Sequence, residues 1–244
     1  MPKRRVVVLT EDKDWICYLK EVFEDTLSVP EVPRNPQEGL NLVRQNNIDI
    51  VFASPNLVTQ PVAAALLTQR TSNRSFRVFS LGLTNGRMKT YPFDEQFEEI
   101  PSFATFYKMM SSKLAFDSTI NILIIDDEKQ ICEAFREYLT HQINPSFSVS
   151  TACDGSDAEK KIKNKTPDVI ILDIKMPEKD GRELYKELQR QHKNIATIVF
   201  FDSVSADEVI EIKKHGNPAF IEKGSRSSAL PEMTALIIKM AYFA

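Results

Sequence analysis

The chain has 244 residues, 42% hydrophobic and 27% charged, with only 7 glycines. That length and balance suit one large or two small globular domains and exclude collagen, disorder and small disulfide scaffolds. Thirty-one basic against 34 acidic residues leave a formal charge of −3, so no overall basic field is available to hold a phosphate backbone and nucleic acid is not an expected direct partner.

The first predicted strand is Val6-Val7-Val8-Leu9, which runs through Thr10-Glu11-Asp12 into Trp15, Ile16, Leu19, Val22 and Phe23. These are spaced as one buried helix face requires. Asn35-Pro36 reads as an N-cap and a first-turn proline, residues 49–54 as the next apolar strand, and residues 102–114 as the last helix of the segment. Trp15, Phe103 and Phe106 are expected in its core. After Phe116-Asp117-Ser118-Thr119 the same unit starts again: Ile122-Leu123-Ile124-Ile125, then Asp126-Asp127, then Ile131, Ala134, Phe135, Tyr138 and Leu139. Here strands are predicted near 121–126, 146–151, 168–173, 196–201 and 219–222, with helices near 129–141, 155–164, 180–191, 205–214 and 226–240. His215-Gly216-Asn217-Pro218 stops the fourth helix. Unbroken β-branched runs alternating with amphipathic stretches predict an α/β fold with a parallel sheet covered on both faces. The chain therefore reads as two copies of one unit, residues 1–115 and 120–244. Three cysteines (Cys17, Cys132 and Cys153) without CxxC spacing argue against a zinc site. The basic N-terminus precedes too short an apolar run for a signal peptide, and no stretch approaches the roughly 18 apolar residues of a membrane span. A cytoplasmic protein is expected.

In an open parallel sheet ligands bind beyond the carboxyl ends of the strands. In the second copy those ends carry Asp126 and Asp127, then Asp173, then Lys223. Three converging carboxylates suit a hard, octahedral ion such as Mg²⁺, and a lysine supplies a compact positive charge for a phosphoryl oxygen. Singly, each residue has a plainer reading: an acidic pair after a strand is most often a helix N-cap, and a lone lysine is most often solvated.

Asp126-Asp127, the run Asp173-Ile174-Lys175-Met176-Pro177-Glu178-Lys179-Asp180-Gly181 and the run Phe220-Ile221-Glu222-Lys223 together resemble the receiver domain of two-component response regulators. The resemblance covers residues 120–244. It implies a flavodoxin-like (βα)₅ doubly wound parallel sheet, and hence two such domains in tandem. It further implies that Asp173 accepts a phosphoryl group from a sensor histidine kinase or phosphotransfer protein. Asp127 and Asp173 then bind Mg²⁺ directly, Asp126 binds it mainly through water, the Lys175 backbone carbonyl completes the protein ligands, and Lys223 binds the phosphoryl group. Phe220 matches the family's aromatic switch position. At the hydroxyl switch position, counting back from Gly216 lands on Phe201, so Ser203 serves only with a shorter loop. Gly224 stands where proline is usual, and Lys175 stands where a side chain can steer the attacking water.

In the first copy Glu11 and Asp12 align with the acidic pair, Ser54 with Asp173 and Ile100 with Lys223, so the first copy is expected to be a degenerate pseudo-receiver. No turnover enzyme is expected: a phosphohydrolase of the haloacid-dehalogenase type would carry Asp-x-Asp on its first strand, and no glycine-rich phosphate loop is present. The chain ends just after its last predicted helix, so output is expected through a downstream protein partner or a homodimer. In the family such docking implicates Val209, Ile212, Phe220 and the helix 226–240. The competing reading is a phosphorylation-independent docking scaffold of two inert receivers.

Overall fold

The computed structural model describes residues 4–24, 26, 28–45, 47–82, 93–114, 119–143, 145–176, 180–191, 195–223 and 226–243. The chain divides into two compact units, Met1–Ala115 and Phe116–Tyr242.

The first unit contains strands β1 (Val6–Leu9), β2 (Ile50–Ala53), β3 (Arg77–Leu81) and β4 (Glu95–Phe97), all parallel and hydrogen-bonded in that order. Its helices are α1 (Lys13–Val22), α2 (Pro36–Arg44), α3 (Gln60–Ser72) and α4 (Phe103–Lys113), with a 3₁₀ turn at Pro55–Leu57. On the free edge of β1 a single residue does the work of a strand: the Val8 N–H donates to the Glu31 carbonyl at 3.0 Å and the Glu31 N–H to that of Val6 at 2.8 Å. Asn35 caps α2, its side chain accepting from Glu38 N–H, with Pro36 in the first turn. One face of the sheet carries a ring cluster in which Phe52 stacks on Phe79 at 5.3 Å and Phe97 on Phe106 at 5.4 Å. Trp15 and Phe106 are buried as expected, whereas Phe103 is only half-buried.

The second unit contains β5 (Ile120–Ile125), α5 (Lys129–Thr140), β6 (Phe147–Ala152), α6 (Gly155–Asn164), β7 (Val169–Asp173), α7 (Gly181–Gln191), β8 (Ala196–Phe201), α8 (Ala206–Lys213), β9 (Ala219–Glu222) and α9 (Arg226–Phe243). All strands are parallel, in the order β6-β5-β7-β8-β9. That is the flavodoxin-like order, whose direction reverses on either side of β5 and opens a crevice there beyond the strand ends. Strands buried on both faces need unbroken apolar runs, and Ile122–Ile125 and Val169–Leu172 are buried throughout. Ala158 and Ile162 of α6, Leu184, Tyr185 and Leu188 of α7 and Ile212 of α8 share one core with Leu123, Ile125 and Leu172. On the opposite face Phe135 of α5 meets Phe200 edge-on at 5.2 Å.

Candidate functional site

Every residue of the second-unit site sits on or just past a strand end. Asp173 is the last residue of β7, and Asp126 follows β5, with its N–H donating to the Ala152 carbonyl at 3.1 Å. Lys223 follows β9. From there its side chain crosses β8, passing 5.3 Å from the Phe200 ring centre, to reach acids from two further strands. The ammonium donates to Asp173 Oδ2 at 2.9 Å, lies 3.1 Å from Asp126 Oδ2 and is 3.8 Å from Glu128 Oε1. All three principal partners are buried, with side-chain exposures of 7% for Lys223, 1% for Asp126 and 5% for Asp173. Asp127 is exposed at the rim, and carboxylate oxygens of Asp126, Asp127 and Asp173 all lie within 4.8 Å of one another.

Burial decides the electrostatics of Asp126. It raises the carboxyl above its ordinary value of 3.8, only partly offset by the Glu128 N–H on Oδ1 at 2.8 Å and by the charge of Lys223. For Lys223 burial is again the largest influence and opposes the charge, yet the hydrogen bond to Asp173 and the nearby charge of Asp126 outweigh it, so its pKa lies above 10.5. Two buried carboxylates share one ammonium, and Asp126 Oδ2 is enclosed without a hydrogen bond. A clustered, under-satisfied set of acidic oxygens opening at Asp127 fits a hard divalent cation that keeps part of its water shell.

The loop after β7 is held to the same centre. The Lys175 N–H donates to Asp173 Oδ1 at 3.0 Å, while its Nζ reaches Ser203 Oγ at 2.9 Å. Sequence reasoning offered Ser203 as a switch hydroxyl; it instead lies two residues past β8, exposed and tied to Lys175, because Phe201 still belongs to the strand and pairs with Glu222. Phe220 pairs with Val199 and is packed, partly buried, on the core beside Phe201. Ile212 is core, Val209 is half-buried, and the exposed apolar residue on that helix is Ile210. Pro177–Lys179 and Gly224 lie outside the described residues.

Gly181 shows why a glycine is needed at the start of α7. A Cβ there would meet the Asp173 carbonyl oxygen at 2.2 Å and Ile174 Cα at 2.6 Å, and the Gly181 N–H donates to the Ile174 carbonyl at 3.0 Å. The helix is seated directly on the backbone that carries the central aspartate.

Residues 122–235 match the family described as the response regulator receiver domain. They are a receiver domain. The chain is 34% identical over 88 residues to a response regulator MprA of a Mycobacterium species (strain KMS), covering 35% of this chain and 37% of that protein. It is 39% identical over 70 residues to the alkaline phosphatase synthesis transcriptional regulatory protein PhoP of Bacillus subtilis, covering 29% of this chain and 28% of that protein. It thus spans only about a third of the length of these curated relatives. Among solved structures, a CheY-like receiver domain protein from Methanospirillum hungatei superposes with a TM-score of 0.45 at 22% identity, over 50% of this chain and 97% of that one. Among the described residues no helix is long and apolar enough to cross a membrane.

Comparing the strand registers of the two sheets corrects the sequence alignment of the two units by one residue in two places. Leu9 pairs with Ala53 as Ile125 pairs with Leu172, so Ser54 stands opposite Asp173 as expected. The same register puts Thr10, not Glu11, in the place of Asp126, and Glu11, not Asp12, in the place of Asp127. Asp12 is a helix N-cap accepting from Asp14 and Trp15 N–H, in the position of Glu128 before α5. Likewise Ser80 pairs with Gln96 as Val199 pairs with Phe220, which puts Glu99, not Ile100, where Lys223 stands. Matching the starts of the two helices at Lys13 and Lys129 would have revealed the first shift. Thr10 Oγ1 and Ser54 Oγ are 2.6 Å apart, a hydroxyl pair that satisfies itself.

Proposed function

We propose that the receiver domain accepts a phosphoryl group on Asp173 from a phosphohistidine of a sensor kinase or phosphotransfer protein and passes the signal on through protein contacts. The observation that carries this is the buried bridge from Lys223 to Asp173 and Asp126 beside the exposed Asp127. Asp126, Asp127 and Asp173, with the Lys175 carbonyl, would hold Mg²⁺. When bound, the ion supplies neutralising charge for the phosphoryl oxygens.

In the transfer an Asp173 carboxylate oxygen attacks phosphorus, the bond from phosphorus to the donor nitrogen breaks, and the imidazole leaves with the bonding pair. As the carboxylate becomes an acyl phosphate it loses its charge, and the Lys223 ammonium can turn from the carboxylate to a phosphoryl oxygen without leaving its place over Phe200. Positioning and electrostatics carry such a step, since the protein contributes no proton transfer to the attacking oxygen. Phosphoryl acceptance and its slow reversal by water would be the only chemistry. The first unit reads as a pseudo-receiver that binds rather than reacts, because a hydroxyl pair and Glu99 replace the anionic acceptor and the cation. A cytoplasmic setting suits this role.

The test is intact-mass and phosphate-affinity electrophoresis of the full chain after acetyl phosphate with Mg²⁺, in wild type and in Asp173→Asn. One phosphoryl group per chain, lost in the variant, is the expected result. No modification and no Mg²⁺ binding would instead make both units docking scaffolds. To test the role of Lys175, spontaneous dephosphorylation of Lys175→Ala is compared with wild type; a changed phosphoryl lifetime is expected, and equal rates would discard it.

A further inference from the structure

The second unit carries two cysteines that its phosphoryl chemistry does not use, and the packing of α5 on β6 brings them to one place. On β6 side chains alternate between the two faces. Ala152 belongs to the core under α6 and α7, so Thr151 points to the other face, where α5 lies, and Cys153 is the first residue past the end of β6. Thr151 Oγ1 accepts from the Arg136 guanidinium at 2.6 Å. One turn toward the start of α5 from Arg136, on the same helix face, is Cys132; two residues further along β6 from Thr151 is Cys153. Strand and helix run antiparallel, and two strand residues advance about as far as four helical ones. Cys153 therefore comes level with Cys132 along the strand as Thr151 is level with Arg136.

A second contact places the sulfur itself. Cys132 Sγ lies 3.5 Å from the Asp126 carbonyl oxygen. The N–H of Asp126 bonds to the Ala152 carbonyl, so the pairing with β6 continues one residue past β5. Ile125 pairs with Ala152, which makes Cys153 the lateral neighbour of Asp126. Both thiols are free, Cys132 buried and Cys153 exposed.

We propose that Cys132 and Cys153 form an intramolecular disulfide when the protein meets a peroxide. The exposed Cys153 sulfur attacks one peroxide oxygen: an S–O bond forms, the O–O bond breaks and water leaves, so the sulfur becomes a sulfenic acid. Cys132 sulfur then attacks Cys153 sulfur; the S–S bond forms, the S–O bond breaks, and the departing hydroxide takes the Cys132 proton as water. The two thiols together lose two electrons, and hydrogen peroxide is reduced to two waters. The bond joins α5 to the loop entering α6 beside Asp126, and a reduced thiol reopens it.

The experiment uses the full chain, fully reduced, then treated with hydrogen peroxide, freed of peroxide, unfolded in guanidinium, alkylated with N-ethylmaleimide and peptide-mapped, so that burial of Cys132 does not itself protect it. The expected result is a protein lighter by two hydrogens before alkylation, with Cys17 still alkylated, Cys132 and Cys153 protected, and full alkylation after dithiothreitol. Cys17→Ser retains the protected pair. Cys132→Ser and Cys153→Ser each lose it, and Cys132→Ser accumulates a Cys153 sulfenic acid that dimedone traps. Oxidation that leaves Cys132 alkylatable, or that links two chains through Cys17 or Cys153, overturns the proposal. Diamide on Cys17→Ser gives a check independent of peroxide chemistry, and failure to bridge there overturns it as well.

Discussion

The two units place unlike chemistry at the same strand ends. In one, Asp126, Asp173 and Lys223 form a buried ionic bridge; in the other, Thr10 and Ser54 share a hydrogen bond and the lysine position is the exposed Glu99. In the second unit the strand order reverses about β5 and opens a crevice beyond the strand ends, whereas the described strands of the first run in sequence, β1-β2-β3-β4. What stands at the strand ends sets the energetic character of the unit: the ionic version needs every member, because each charge is taken out of water and leaned on the others. The hydroxyl version needs no counter-charge, since one neutral hydroxyl donates to the other.

The largest expected effect follows from removing the shared cation. Lys223→Ala leaves two buried carboxylates without their ammonium and should lower the stability of the receiver domain by about 3–5 kcal/mol. Urea unfolding combined with hydrogen exchange of β5 and β7 measures it. Added Mg²⁺ should recover more stability in the variant than in wild type. Glu99→Ala, at the equivalent exposed position, should change the first unit by less than about 0.5 kcal/mol. A comparable loss at both sites would break the contrast.

Next comes Gly181→Ala. With backbone atoms 2.2 and 2.6 Å from the added carbon, α7 must move off the end of β7, costing about 1–3 kcal/mol as overpacking does. Phosphoryl acceptance should fall as well, because Asp173 lies under the displaced turn. Normal acceptance with unchanged stability would mean that α7 is more loosely seated than its contacts imply.

Asp126→Asn tests the cost of buried charge. Burial raises the Asp126 pKa in the folded protein, so between the ordinary carboxyl range and that raised value the folded state binds more protons than the unfolded chain. Stability contributed by this group therefore falls as pH rises through the window. The variant has no such dependence. Its stability relative to wild type should increase as pH climbs above 3.8 and level off once Asp126 is ionised, while Mg²⁺ binding is lost. Parallel stability–pH curves for the two proteins would remove burial as the dominant influence on Asp126.

Strand ends, helix starts and the acidic set were legible because apolar runs that stop on charge can mean little else in a doubly wound sheet. Asp126 and Asp173 are each the first charged residue after an apolar run, and Lys223 is the first residue past β9, behind Glu222. What could not be read was register at single-residue resolution. Thr10 is chemically unlike Asp126, so an alignment guided by charge slid to Glu11 and Asp12, although the capping role of Asp12 marks it as the partner of Glu128. The β3–β4 register likewise replaces Ile100 with Glu99. Contacts made by loops across the site, such as Lys175 with Ser203, depend on backbone paths that carry no periodic signal.

The smallest expected effect belongs to the hydroxyl pair. Thr10→Val keeps the shape of a residue that is 7% exposed but removes the partner of Ser54 Oγ and the acceptor that Asp12 N–H uses at 3.2 Å. Two hydrogen bonds of ordinary strength are lost, yet Ser54 is only half-buried and can turn to water, so a cost near 1 kcal/mol is expected. The change should not depend on Mg²⁺ or on pH through the carboxylate range, because no charge takes part. A Thr10→Val effect that grows on adding Mg²⁺ would show that the first unit's site engages a cation after all, through Glu11 and the backbone. The two strand-end sites would then differ in strength rather than in kind.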